Sequence, residues 1–111
     1  MPDEDKKRAA QQALVDRVLN GDGTASPELR ARAFSNTDVP SPLQGLISKV
    51  ATNPTQVTDA DFATAKAAGF SEDQLFELVI SAAVGQSDRL YEAGLAALAE
   101  VTGTWEADDA P

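Results

Sequence analysis

Neither cysteine nor histidine occurs in the 111 residues of this chain, and the two absences remove most familiar active-site chemistry. Without cysteine there is no disulfide, no thiolate nucleophile, no redox dithiol and no iron–sulfur ligation. Without histidine there is no imidazole to move protons near neutral pH and no ordinary zinc site. No metal and no cofactor is therefore expected. Basic residues are scarce in one half: positions 51–111 hold eleven acids against Lys66 and Arg89 alone, whereas positions 1–50 hold seven of each sign. The second half thus carries the whole net charge of −9, which repels phosphate backbones and anionic lipid. Neither nucleic acid nor a membrane surface is an expected partner. No apolar run approaches the ~20 residues of a spanning helix, and Met1 to Arg8 lacks the apolar segment of a signal peptide, so a cytoplasmic location is expected. A chain of this length buries only ~65% of its unfolded surface, which leaves subunit contacts room to contribute to stability.

What is present reads as helix throughout, because alanine-rich segments with three- and four-residue apolar spacing lie between well-marked stops. The first helix is expected over about Glu4 to Asn20, with Ala10, Leu14 and Val18 on one face and Val15 and Leu19 beside it; Gly21-Asp22-Gly23 ends it. Ser26-Pro27-Glu28 offers a cap, a first-turn proline and an acid at the positive end of a short helix reaching Ser35. Ser41-Pro42 repeats that start ahead of the stripe Leu43, Leu46, Ile47 and Val50, and Pro54 stops this third helix. Thr58 to Asp61 caps a fourth, closed by Gly69. Ser71 and Gln74 have the spacing of a capping box, with Phe70 placed to staple onto Leu75. From Leu75 to Val84 apolar residues cover nearly the whole helix circumference, so part of that surface is expected to face another subunit. Gly85 is expected to kink the element, and a final helix from Asp88 to Val101 should turn Leu90, Tyr91, Gly94, Leu95 and Leu98 inward until Gly103 ends it. The chain divides accordingly into an N-terminal helix or arm (1–25), a helical domain (26–103) and an acidic tail (104–111), whose start Trp105 could pin to the core.

The segment Asp61-Phe62-Ala63-Thr64-Ala65-Lys66-Ala67-Ala68-Gly69-Phe70-Ser71-Glu72-Asp73-Gln74-Leu75-Phe76-Glu77-Leu78-Val79 resembles the carboxymuconolactone decarboxylase and alkylhydroperoxidase D-like family. Members show a helix ending in an Ala-Ala-Gly phrase, a capped turn with serine and acids, and then a long apolar helix; the likeness covers roughly residues 41–100. It implies an all-α alkylhydroperoxidase D-like core that forms homo-oligomers. In redox-active members a Cys-x-x-Cys pair is followed four residues later by a histidine, eight residues before that glycine. Counted back from Gly69, the histidine position is Asp61 and the cysteine positions are Pro54 and Val57. All three are substituted, so peroxidase chemistry by thiols is closed to this chain. The resemblance then implies a non-redox binding or scaffolding module. The alternatives are a cofactor-free decarboxylase acting on a small organic acid or lactone through carboxylates and Tyr91, and a subunit completing a heteromer with a cysteine-bearing paralogue.

Four side chains are candidates for a site. Asp61 stands where the resemblance puts a pocket-facing histidine, and with Asp59 it could share a hard cation; the plainer reading is that both acids complement a helix N-terminus. Tyr91 could donate a proton or a hydrogen bond. Glu77 lies inside the apolar run and needs a partner for its charge. Arg89 is the candidate partner, and as one of only two bases after position 50 it could instead bind an anionic ligand. The remaining acids, Glu72, Asp73, Asp88 and Glu92, read as solvated faces.

Overall fold

The computed structural model describes the backbone of residues 2–109 and the side chains of residues 5–102. Five α-helices run in the order α1 (Pro2–Asn20), α2 (Pro27–Ser35), α3 (Ser41–Thr52), α4 (Asp59–Ala67) and α5 (Glu72–Asp109), with one 3-10 turn at Pro54–Gln56 before α4. Among the described residues there is no strand, so the chain is all-α. The 38 residues of α5 make a rod about 57 Å long at 1.5 Å per residue, and the other helices pack along it.

Local chemistry accounts for most of the boundaries. Ser26 caps α2, its side chain accepting from the Leu29 N–H at 3.1 Å, with Pro27 in the first turn. The far end of α2 turns through Asn36 at φ 52°, where the Thr37 N–H reaches back to the Arg32 carbonyl at 3.1 Å. At the end of α4, Gly69 adopts φ 104°, and the Phe70 and Gly69 N–H groups bond the Ala65 and Lys66 carbonyls at 3.3 and 2.9 Å, a Schellman closure that favours glycine. The capping box of α5 forms: Gln74 Oε1 accepts from the Ser71 N–H at 2.9 Å and Ser71 Oγ from the Gln74 N–H at 3.1 Å. Ser41 does not cap α3. The helix takes in Ser41 itself, Pro40 stands at its N-cap without a side-chain bond, and Leu43 N–H bonds the Pro40 carbonyl.

The interior sits between α2, α3, α4 and the first half of α5. Leu43, Leu46, Ile47, Leu75 and Leu78 are all but sealed from solvent, with Ala33, Ala65 and Ala82 filling the narrower gaps. Phe62, Phe70, Val50 and Val57 close its edges. α3 thus presents the stripe that its spacing promises.

Three expectations fail along α5 and α1. α5 is continuous through Gly85 and Gly103, so there is neither a kink nor a separate last helix. A glycine costs a helix only about 1 kcal/mol, and Gly85 has a packing role: a Cβ there would collide with the Phe34 backbone carbonyl, so only glycine lets the end of α2 rest on α5. Leu90, Gly94 and Leu98 face solvent rather than inward, while Tyr91 and Leu95 are half-buried. In α1 the inner side is Gln11, Val15, Val18 and Leu19, with Ala10 and Leu14 outside. Trp105, considered as an anchor, lies outside the described side chains.

Candidate functional site

Asp61 lies in the first turn of α4, where Thr58 ends an extended segment and the chain turns into the helix. Its carboxylate accepts from the Thr58 N–H at 2.9 Å and the Thr58 hydroxyl at 3.2 Å. From α3, Lys49 reaches across to both carboxylate oxygens at 3.0 Å, and the Asp61 side chain keeps 13% of its exposure. The Thr58 backbone N–H and then the Lys49 ammonium hold the carboxyl below its ordinary value. At neutral pH this is a fixed anion with both oxygens engaged. It ties α3 to α4 and is poorly disposed to take up or release a proton.

Glu77 is also partnered, but not by Arg89. Its two oxygens receive the Thr24 N–H at 2.8 and 2.9 Å, the Thr24 hydroxyl at 2.9 Å and the Ala25 N–H at 2.6 Å. Burial pushes the carboxyl up, but the Ala25 and Thr24 donors, helped by the positive charge of Arg30, outweigh it and leave the group below its ordinary value. The α1–α2 link is thereby clamped onto α5. Gly23 is part of this clamp, because a Cβ at that position would collide with the Glu77 carboxylate.

Arg89 turns the other way. Its guanidinium donates to the Phe34 carbonyl at 2.8 Å and to Gln86 Oε1 at 3.1 and 3.2 Å, satisfying an open carbonyl near the end of α2. The missed residue is Arg30, only 5% exposed, which donates to the Val18 and Gly21 carbonyls at 3.1 and 2.8 Å and so closes the end of α1. Its one sequence signal is the i, i+3 spacing from Arg30 to Ala33 on the inner face of α2. Lys49 carries no such signal, since its pairing with Asp61 depends on how α3 and α4 are laid together.

Asp61, Glu77 and Arg89 therefore occupy three separate surroundings, and Tyr91 lies half-buried on α5. None of them lines an apolar groove of about 280 Å³ between α4 and α5 formed by Phe62, Leu75, Phe76 and Val79. Lys66 and Glu72 stand at its edge, paired at 2.6 Å, and the Lys66 ammonium lowers the Glu72 carboxyl. A second groove of about 310 Å³ lies between α1 and α5, with Asp16, Asp88 and Glu92 on its walls. Gln11 donates to Asp88 and Arg8 pairs with Glu92 alongside it. Among the described residues no three acidic, histidine or cysteine side chains gather as metal ligands, and no helix is long and apolar enough to cross a membrane. The α4–α5 groove offers apolar contact with one ion pair at its mouth, a surface that can hold a hydrocarbon side chain, and its titratable lining is that Lys66–Glu72 pair. Comparison with protein-family models, with curated proteins and with solved structures finds no match to this chain.

Proposed function

We propose that this protein is a non-redox, alkylhydroperoxidase D-like helical module that binds or scaffolds, working as an assembly of its own copies. The observation that carries the reading is the state of Asp61. In the position that the resemblance gives to a catalytic histidine, the chain holds a carboxylate saturated by Lys49 and Thr58, a strut between two helices. The two positions aligned with thiols are Pro54, exposed at the start of the 3-10 turn, and Val57, packed on the core. Neither can carry electrons or a leaving group. Among the described residues, the groove at Phe62, Phe76 and Val79 and the outer surface of α5 offer apolar contact to an incoming molecule, and the groove between α1 and α5 offers acidic walls.

The test is native mass spectrometry of the protein purified from its own host, together with turnover assays on an alkyl hydroperoxide and on a lactone acid. A homo-oligomer without turnover is the expected result. A stable monomer would remove the scaffold, and turnover abolished by Asp61→Asn and Tyr91→Phe would replace the module with a cofactor-free enzyme. A co-purifying cysteine-bearing chain would move the function to a heteromer.

A further inference from the structure

The outer face of α5 carries a regular pattern. Positions 76, 80, 83, 87, 90, 94, 97 and 101 follow one another at alternating steps of four and three, the spacing of a coiled-coil seam, and every one of them is exposed. The seam lies on the side of α5 turned away from Leu75, Leu78 and Ala82, which face the interior. It spans 25 residue steps, about 37 Å at 1.5 Å each. Exposed apolar residues occurring singly are ordinary, but four large ones, Phe76, Ile80, Leu90 and Val101, aligned on one stripe of a helix in a small acidic chain are not.

We propose that a second copy of this chain packs antiparallel along this face of α5, with the two-fold axis between Asp88 and Arg89. The inference rests on the homo-oligomer reading above and assigns its interface. Residue size selects the direction. In the antiparallel register Phe76 meets the partner's Val101, Ile80 meets the partner's Ala97, Ala83 meets the partner's Gly94 and Leu90 meets the partner's Ser87. Three of these layers set a large side chain against a smaller one, and the fourth is small on both sides, which suits the close approach of two helices. A parallel pair would stack Phe76, Ile80 and Leu90 on themselves and leave voids at Ser87, Gly94 and Ala97.

The helix dipoles favour the same direction, since antiparallel pairing opposes them. At the flanks of the seam Val84 lies opposite the partner's Tyr91, and Gln86 opposite the partner's Ala93. The area suffices as well. Phe76, Ile80, Leu90 and Val101 on the seam and Leu98 on its flank, each 37–66% exposed, offer on the order of 500 Å² per copy given full-exposure areas near ~150–200 Å² each. A pair then covers about 1,000 Å², the lower limit for a specific interface. Gly94 fits the arrangement, since nothing in its own chain lies within 4 Å of a Cβ built there.

Crosslinking of the full chain tests the register, because the absence of native cysteine makes introduced thiols unambiguous. Ile80→Cys and Ala97→Cys variants, mixed and oxidised, are expected to give a mixed disulfide between the two chains, with little self-linked product from either. Self-linked product from Ile80→Cys with no mixed product would mean parallel pairing and overturn the proposal. In parallel, Leu90→Glu is expected to turn the assembly into monomers by sedimentation equilibrium with unchanged helical circular dichroism, since Leu90 is 62% exposed in the single chain. Gly94→Leu should do the same through crowding. A wild-type monomer would overturn the proposal together with the oligomer reading. An oligomer that survives Leu90→Glu and Gly94→Leu and gives no crosslink would overturn the α5 pairing and leave that reading standing. A different chain, retained from the host and released by Leu90→Glu, would put another occupant on the seam and overturn the self-pairing.

Discussion

The two halves of α5 belong to one unbroken helix and both carry large apolar residues, more densely in the first half, yet their surroundings differ. From Leu75 to Gly85 the helix gives Leu75, Leu78, Ser81, Ala82 and Gly85 to the interior, each buried, and is flanked by α2, α3 and α4. From Gln86 to Thr102 no residue is fully buried, and Leu90, Leu98 and Val101 stand 57–65% exposed. Hydrophobicity sets what a helix can bury; a neighbouring element decides whether it is buried. α1 runs beside the second half but meets it through polar groups, Gln11 with Asp88 and Arg8 with Glu92. Its apolar residues there are only half-buried.

The contrast breaks first at the interior. Leu78→Ala empties a fully buried site and is expected to cost 2–5 kcal/mol, about the range for such truncations, whereas Leu98→Ala should stay within about 0.5 kcal/mol in the dissociated chain. Urea unfolding of both variants in the Leu90→Glu background measures the difference. Equal losses would mean that the second half of α5 is as well covered as the first.

Two glycines sharpen it next. Gly85→Ala drives a methyl into the Phe34 carbonyl, and this backbone contact cannot be relieved by a rotamer change; a loss of about 1–3 kcal/mol is expected, as for other overpacked sites. Gly94→Ala meets open space and should raise the stability of the same dissociated chain by up to about 1 kcal/mol through helix propensity. Thermal melts of the pair should move in opposite directions.

Glu77→Gln removes the anion from the clamp on Thr24 and Ala25 and is expected to cost on the order of 1 kcal/mol. The effect should depend on pH with a definite sign. Glu77 and Asp61 lie below their ordinary values of 4.5 and 3.8, so each contributes stability that is fully present above those values and is lost as the pH falls through its lower folded value. Urea midpoints should therefore be level near neutrality and fall below about pH 4.5, the ordinary value for Glu77, with a shallower fall in Glu77→Gln. An unchanged acid limb would mean that the clamp does not select the charged form. The smallest effect is expected from Arg8→Ala: the pair with Glu92 is 3.2 Å long with both side chains about half exposed, so about 0–0.5 kcal/mol is expected.

Short-range signals were legible at most places where residues act on their own neighbours, Ser41 being the exception because α3 takes it in and leaves Pro40 at the N-cap. Ser26, the Ser71–Gln74 box, Asp61 at the head of α4 and Gly69 at its end all did what their spacing implies, because a cap or a positive-φ turn is decided within a few residues. Glycine inside a helix is not decided that way. Locally Gly85 looks like a break, but its effect is set by α2, far away in sequence. The candidate residues divided along this line too: Asp61 was visible as a capping acid, while its partner Lys49 was not, and Glu77 was visible as needing a partner, which proved to be the backbone of Thr24 and Ala25.

The sequence by itself determined that the chain is helical, where most of its helices begin and end, and that thiol and imidazole chemistry are closed to it. These follow from side-chain inventory and from interactions spanning three or four residues. Only the tertiary structure decided which face of α5 is covered, which cation neutralises Asp61, and that Arg30 is buried at the end of α1. Those outcomes depend on how helices distant in sequence are laid against one another, and periodicity within one helix carries no record of what stands beside it.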